Sequence, residues 1–186
     1  MCGIVGFVDP ESRVEDPRAV LERMRDALEH RGPDDAGSVH CAPLYAGHRR
    51  LSIVDTSPEG RQPFVELDEH GEPEIVAWAN GELYNHGVIR ERIREVWPKH
   101  EVKASDCAVL PRLWRLEREG TPRHLEGMFA IAIWDARSQE LLLARDPAGQ
   151  KPLYYAMTPG NGLAFASEIK ALLSHPGVGR EVDPVG

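Results

Sequence analysis

Met128-Phe129-Ala130-Ile131-Ala132-Ile133-Trp134 is apolar from end to end. Side chains alternate between the two faces of a strand, so such a stretch puts apolar groups on both faces and needs cover on each. A half-exposed sheet cannot supply that cover; a layered domain can. Outward from this segment the pattern supports layering. A further strand is predicted over 140–145, reached through a short turn-rich link at 136–139. Strands over 153–157 and 163–166 flank a second such link, 158–162. Links this short predict antiparallel hairpins.

Upstream, apolar runs predict strands over 4–8, 51–54 and 75–79, and amphipathic spacing predicts helices between them. Asp16 can cap the first helix, Pro17 suits its first position, and Val20, Met24, Ala27 and Leu28 share one face until Gly32-Pro33 stops it. Val88, Ile89, Ile93, Val96 and Trp97 mark the second, halted at Pro98. A third is expected from Asp106 to about Arg118, capped by Ser105 and closed by Gly120, with Pro111 predicted to kink or shorten it. Ser167 is read as opening a last helix through Leu173, and residues 176–186 read as loop. The fold class expected is α+β, with helices outside and sheets inside.

A chain of 186 residues suffices for one well-filled core. Its net charge of -8 argues against nucleic acid or an anionic membrane as partner, because both attract clustered Lys and Arg. In the basic stretch, Arg90, Arg92 and Arg94 alternate with Glu91 and Glu95, the pattern of a solvated face laced with ion pairs. The apolar runs are far shorter than the ~20 residues that span a bilayer, and the opening reads as lacking a signal peptide. Three widely spaced cysteines (Cys2, Cys41, Cys107) and eight scattered histidines form neither a disulfide framework nor a zinc motif. The expectation is a cytoplasmic, metal-free protein.

Cys2 stands where removal of Met1 would expose it as the first residue. A free α-amine titrates near 7.7–8.0 and can act as general base for the thiol on the same residue. Taken alone, Cys2 is equally a small residue beside a strand, Arg50 a surface arginine, Asn80-Gly81 a turn, and Asp106 an acidic residue in a helix's first turn.

Their order along the chain adds to these readings. Met1-Cys2-Gly3-Ile4-Val5-Gly6-Phe7 resembles the opening of the class II glutamine amidotransferases, which are N-terminal nucleophile hydrolases. Arg31-Gly32-Pro33-Asp34-Asp35-Ala36-Gly37, Gly47-His48-Arg49-Arg50-Leu51-Ser52-Ile53-Val54-Asp55, Asn80-Gly81-Glu82-Leu83-Tyr84-Asn85 and Ser105-Asp106 follow in the order of the asparagine synthetase branch. So do the stretch from Arg145-Asp146 to Tyr154-Tyr155 and the segment Ala166-Ser167-Glu168-Ile169-Lys170-Ala171-Leu172. The Arg50-Leu51-Ser52-Ile53 form, in place of a His-Thr-Arg stretch, is what points to that branch.

The resemblance implies a four-layer αββα sandwich with antiparallel sheets. It makes Cys2 the nucleophile, with the Asn80 side-chain amide and the Gly81 backbone N–H as oxyanion hole. It assigns the glutamine α-carboxylate to Arg50 and the substrate ammonium to Asp106 and Glu82, and places Leu51 and Ile53 among the substrate-binding residues. It implies a glutaminase domain over 1–175, with 176–186 a linker toward a synthetase domain that is absent here. Cleavage of L-glutamine to glutamate and ammonia needs no cofactor. ATP and Mg²⁺ are expected only on a synthetase domain or subunit, where the ammonia would reach an activated carboxylate, as in asparagine biosynthesis or a related amidation. No Ser-Gly-Gly-x-Asp-Ser or other phosphate loop occurs in this chain. Arg49, Pro147, Ala148 and Gln150 depart from the usual pattern, which bears on coupling to such a partner more than on glutamine cleavage. The alternatives are a non-catalytic glutamine-binding or docking module and an amidohydrolase of a natural-product pathway.

Overall fold

The computed structural model describes residues 2–52, 60–99 and 103–181. Among these residues, nine strands form two antiparallel sheets. They are β1 (Gly3–Val8), β2 (Asp35–Cys41), β3 (Leu44–Arg50), β4 (Phe64–Leu67), β5 (Pro73–Leu83), β6 (Gly127–Asp135), β7 (Glu140–Arg145), β8 (Tyr154–Thr158) and β9 (Gly162–Ala166). The first sheet has the order β2-β3-β1-β9-β8 and the second β4-β5-β6-β7. The helices are α1 (Pro17–Asp26), α2 (His86–Val96), α3 (Leu110–Glu117) and α4 (Ile169–Leu172).

Three buried clusters define the layers. Val5 and Phe7 of β1 pack with Val20, Leu21 and Met24 of α1 and with Ala171 and Leu172 of α4. The opposite face of the same sheet gives Ile4, Leu44, Ala46 and Phe165 to a middle layer, where they meet Val76, Trp78, Ala132 and Trp134 of the second sheet. The far face of the second sheet, with Ile75, Ala77, Phe129, Ile131 and Ile133, packs on Ile89 and Ile93 of α2 and on Leu110, Leu113 and Trp114 of α3. The stack is therefore helix, sheet, sheet, helix. β6 explains the uninterrupted apolar run: its even positions 132 and 134 face the other sheet and its odd positions 129, 131 and 133 face α2 and α3. Burying one such large side chain contributes roughly 1.5–3 kcal/mol, so neither face could be left wet. The 136–139 and 158–162 links close the expected hairpins, β6 on β7 and β8 on β9.

Local signals place most helix boundaries. The Asp16 side chain accepts from the Ala19 N–H at 3.0 Å with Pro17 in the first turn, as a capped start requires. Helix α1 ends at Asp26, ahead of Gly32-Pro33, and a 3₁₀ turn over Glu29–Arg31 fills the gap. Pro111 divides the expected third helix. A 3₁₀ turn covers Asp106–Val109, and α3 starts at Leu110 with Pro111 in its first turn, where a missing N–H costs nothing. Gly120 does not close α3; the chain leaves it at Arg118, at φ +50°, and continues as a 3₁₀ stretch to His124. Neither Ser105 nor Ser167 caps a helix with its side chain. The Ser167 hydroxyl instead accepts from the Ile4 N–H at 3.0 Å.

The strand expected over 51–54 falls partly outside the described residues, and its described part, Leu51 and Ser52, is not strand. Pairing stops at Arg50, and 53–59 lie outside the described residues. The preceding strand is Leu44–Arg50, whose polar Gly47-His48-Arg49-Arg50 end carries little strand signal. β2 and β4 are edge strands of mixed burial and were also not expected. After α4 the chain stays on the core as far as Val178, which is buried with α1 and β1.

Candidate active site

β1 and β3 are paired neighbours in the first sheet, with Gly3 opposite Arg49. This brings Cys2 to the end of β3, where its thiol lies 3.8 Å from the Leu51 carbonyl. Cys2 is half-buried. Arg50, the last residue of β3, is buried at 7% exposure and shares the parity of Leu44, Ala46 and His48, which face the other sheet.

The Arg31-Gly32-Pro33-Asp34 segment braces this strand end. Pro33 bridges to Arg50, the Asp34 N–H donates to the Arg50 carbonyl at 3.1 Å, and the Asp34 carboxylate accepts from the Ser52 N–H at 2.8 Å. Gly32 lies so close that an added Cβ would sit 2.4 Å from the Arg49 carbonyl carbon, so only glycine fits there. Asp34 thus orders both Arg50 and the unpaired Leu51-Ser52 that follows.

The second sheet contributes Asn80, Gly81 and Glu82. They are not a turn: β5 runs through all three to Leu83, paired with β6 down to Gly127. Asn80 has the parity of Val76 and Trp78, which face the first sheet. It is 1% exposed, and its amide Nδ2 has no hydrogen-bond partner among the described residues. A buried amide donor without a partner costs roughly 1–3 kcal/mol, so its retention asks for a reason. Gly81 is pressed against β6: an added Cβ would stand 2.0 Å from the Met128 carbonyl oxygen.

Asp106 is tied to the end of β5, accepting from the Leu83 N–H at 2.7 Å. Arg90, read from sequence as one of a solvated set, donates to the Ala104 and Ser105 carbonyls at 2.8 and 2.7 Å and so steadies the approach to Asp106. Arg92 pairs with Glu117, and Arg94 with Glu91 at 2.5 Å.

The two sheets converge electrostatically on Cys107, whose thiol lies 3.5 Å from Asp106. Burial raises the Cys107 pKa well above the ordinary thiol value, and the negative charge of Asp106, then of Cys2 and of Glu82, raises it further. Cys2, just before β1, Glu82 of β5 and Asp106 of the 3₁₀ turn are thus all within electrostatic range of one buried thiol. His48, behind Arg50, is 1% exposed; burial first and the Arg50 charge second push its pKa down to about 3, so it is neutral at physiological pH.

The structure therefore brings Cys2, Arg50 and Leu51 together on one side, and Asn80, Gly81, Glu82 and Asp106 on the other. Ile53 lies outside the described residues. Supporting residues that sequence reasoning missed include Gln62, Arg31, Arg90 and Asp146. The Asp146 carboxylate accepts from the Gln150, Lys151 and Phe129 N–H groups at 2.9, 3.1 and 3.3 Å, and Phe129 stands opposite Gly81. Burial opposes ionisation of Asp146, but those backbone donors outweigh it and hold its pKa below the usual range. A carboxylate inside a recognised motif was the available signal. Among the described residues no group of three or more His, Cys, Asp or Glu could hold a metal ion, and no helix is long and apolar enough to cross a membrane.

Comparison with known proteins gives four findings. The family model described as glutamine amidotransferase domain matches residues 1–186. The chain is 38% identical over its whole length to asparagine synthetase [glutamine-hydrolyzing] 3 of Bacillus subtilis, of which it spans 30%. Over 94% of its length it is 36% identical to amidase chyE of Penicillium rubens, spanning 26% of that protein. Among solved structures, glutamine phosphoribosylpyrophosphate amidotransferase from B. subtilis superposes with a TM-score of 0.75 at 23% identity, over 98% of this chain and 46% of that one. That likeness concerns the fold, and it matches the stacked antiparallel sheets described above.

Proposed function

The chain belongs to the class II glutamine amidotransferase domain family, and from that premise we propose that it hydrolyses L-glutamine to glutamate and ammonia with Cys2 as nucleophile. The observation that carries this reading is the convergence of the two sheets. It sets the half-buried Cys2 thiol, Glu82 and Asp106 each within electrostatic range of the buried Cys107, beside a strand whose Asn80 amide Nδ2 has no partner among the described residues.

Once Met1 is removed, the Cys2 α-amine takes the thiol proton as sulfur attacks the glutamine side-chain carbonyl. The oxyanion that forms is met by the Asn80 Nδ2 donor and the Gly81 N–H, groups already desolvated and fixed in a strand. The ammonium proton returns to the departing nitrogen, ammonia leaves, and a glutamyl thioester remains. Water, deprotonated by the same amine, attacks the thioester; glutamate departs and the thiol is restored. Arg50 would hold the substrate α-carboxylate with its planar fork, Glu82 and Asp106 its ammonium, and Leu51 would line the site. This half-reaction calls on no cofactor.

The chain spans 30% of the B. subtilis synthetase and 23% of a second synthetase from the same organism. We assign the rest of a synthetase reaction, with ATP and Mg²⁺, to a further domain or subunit that receives the ammonia and amidates an activated carboxylate. A second reading, an amidohydrolase of a natural-product pathway, draws on the similarity to the amidase chyE.

The test is release of ammonia and glutamate from glutamine by the purified chain, with mass spectrometry to establish that Met1 is gone and Cys2→Ala as control. Turnover that vanishes in the variant supports the reading; a folded chain with a free Cys2 and no turnover refutes it.

A further inference from the structure

The backbone of Cys2 is held by one side chain. Arg31 Nε donates to the Cys2 carbonyl at 2.9 Å, and Nη1 of the same guanidinium donates to Glu168 Oε1 at 2.9 Å. The Arg31 side chain is 8% exposed. Glu168 also accepts from His30 Nε2 at 2.8 Å and lies 3.4 Å from Lys170 Nζ. Two residues on, the Ile4 N–H donates to the Ser167 hydroxyl at 3.0 Å and the Ile4 carbonyl accepts from the Ser167 N–H at 2.9 Å. Segments from either end of the chain therefore grip the residues on both sides of Gly3.

A residue exposed as a new N-terminus has nothing before it to anchor it, and free ends fray. For Cys2 the problem is acute, because both the sulfur and the amine must point at one carbonyl group carried by the other sheet's side of the site. Holding the Cys2 carbonyl fixes the rotation about its Cα–C bond and leaves the thiol its own torsion alone. We propose that Arg31, oriented by Glu168, is a positioning residue for glutamine hydrolysis, fixing the Cys2 peptide so that thiol and α-amine address the substrate together. This rests on the glutaminase reading of Cys2. Arginine suits the task because its Nε and Nη1 donors diverge in one rigid plane toward two acceptors; an ammonium cannot hold both in that geometry. Glu168 stays anionic throughout the working range. Burial opposes its ionisation, but the Arg31 and His30 hydrogen bonds and charges prevail and hold its pKa at about 2.

The experiment compares the wild-type chain, Arg31→Lys, Arg31→Met and Glu168→Gln, each verified by mass to lack Met1. Three quantities are read: kcat and KM for glutamine, the rate of Cys2 alkylation by iodoacetamide, and the thermal midpoint. Misplacing a reacting group by about 1 Å costs on the order of 10²-fold, so both Arg31 variants should lose kcat by roughly 10- to 100-fold with KM within about threefold. Arg31→Lys should be as impaired as Arg31→Met, and Glu168→Gln impaired in the same sense but less. Alkylation, which needs no alignment with a bound carbonyl, should stay within about threefold of wild type. Wild-type kcat in Arg31→Lys overturns the proposal. So does a kcat loss matched by an equal loss of alkylation, or a loss confined to unfolded Arg31 variants while Glu168→Gln is fully active. A folded wild-type chain with a free Cys2 and no glutamine turnover refutes the glutaminase reading itself; an active wild type with an active Arg31→Lys refutes this proposal alone.

Discussion

The side chain of Gln62 stands in for a strand beside Ala79: its Nε2 donates to the Ala79 carbonyl at 2.9 Å and its Oε1 accepts from the Ala79 N–H at 2.7 Å. The register of β4 on β5 begins at Phe64 opposite Ala77, so Ala79 lies past the start of that edge strand. Ala79 is 1% exposed, and without Gln62 its two backbone groups on that side would be buried and unpaired. The next residue is Asn80. One side-chain amide thus completes the ladder at the point where β5 turns from scaffold to site.

Replacing Gln62 by Met keeps length and volume but removes both hydrogen bonds. Each of the two orphaned buried groups costs roughly 1–3 kcal/mol, so Gln62→Met should destabilise the domain by about 2–6 kcal/mol and lower kcat as Asn80 loosens. Urea denaturation alongside steady-state kinetics measures both. Unchanged stability would show that water replaces the amide at no cost.

Asn80→Ala separates catalysis from stability. Its Nδ2 has no partner among the described residues, so its removal sacrifices none of the hydrogen bonds described for it. Loss of an oxyanion donor costs on the order of 10²–10³ in rate, so kcat should fall by that factor while KM and the thermal midpoint hold. A large stability loss with kcat preserved would make Asn80 structural.

Gly81→Ala places a methyl group 2.0 Å from the Met128 carbonyl oxygen, a backbone atom that cannot rotate away. Overpacking of this kind costs about 1–3 kcal/mol or more. β5 and β6 must part at the residue whose N–H is proposed to meet the oxyanion, so activity should fall more steeply than stability. Circular dichroism melts and glutamine turnover on one preparation test the ordering.

His48 makes folding stability depend on acid. Its folded pKa is about 3 against 6.5 when exposed, so between these values the unfolded chain binds a proton that the folded chain does not. Its stabilising effect is therefore complete above pH 6.5 and is lost as pH falls toward 3, at up to about 1.4 kcal/mol per pH unit. Denaturation midpoints across this window should fall with acid in the wild type and less steeply in His48→Gln. Equal slopes would mean that His48 titrates normally.

Legibility in the sequence followed the range of each interaction. The β6 run, the Asp16-Pro17 start of α1 and the two hairpin links each depend on residues a few positions apart, and the structure places them as read. The apolar pattern does not predict β3, whose His48-Arg49-Arg50 end is polar where a core strand is apolar. Arg49 pairs with Asp26 of α1, while His48 and Arg50 are buried polar groups, so apolar periodicity gives this strand end no signal. Arg31 and Glu168 stand in motif segments, but their pairing, like the hold of Gln62 on Ala79, joins groups distant in sequence and is not legible there.

By itself, then, the sequence determined much of the alternation of strands and helices, the need for cover on both faces of β6 and the order of the family motifs, because propensity, period and order are local properties. Only the tertiary structure decided that β3 and β5 pack into one middle layer, that Asn80 lies in a strand rather than a turn, and that Arg31 reaches both Cys2 and Glu168. Those facts depend on how two twisted sheets stack, and stacking is set by the packing of side chains such as Ile4, Trp78 and Trp134 that no short window of sequence brings together.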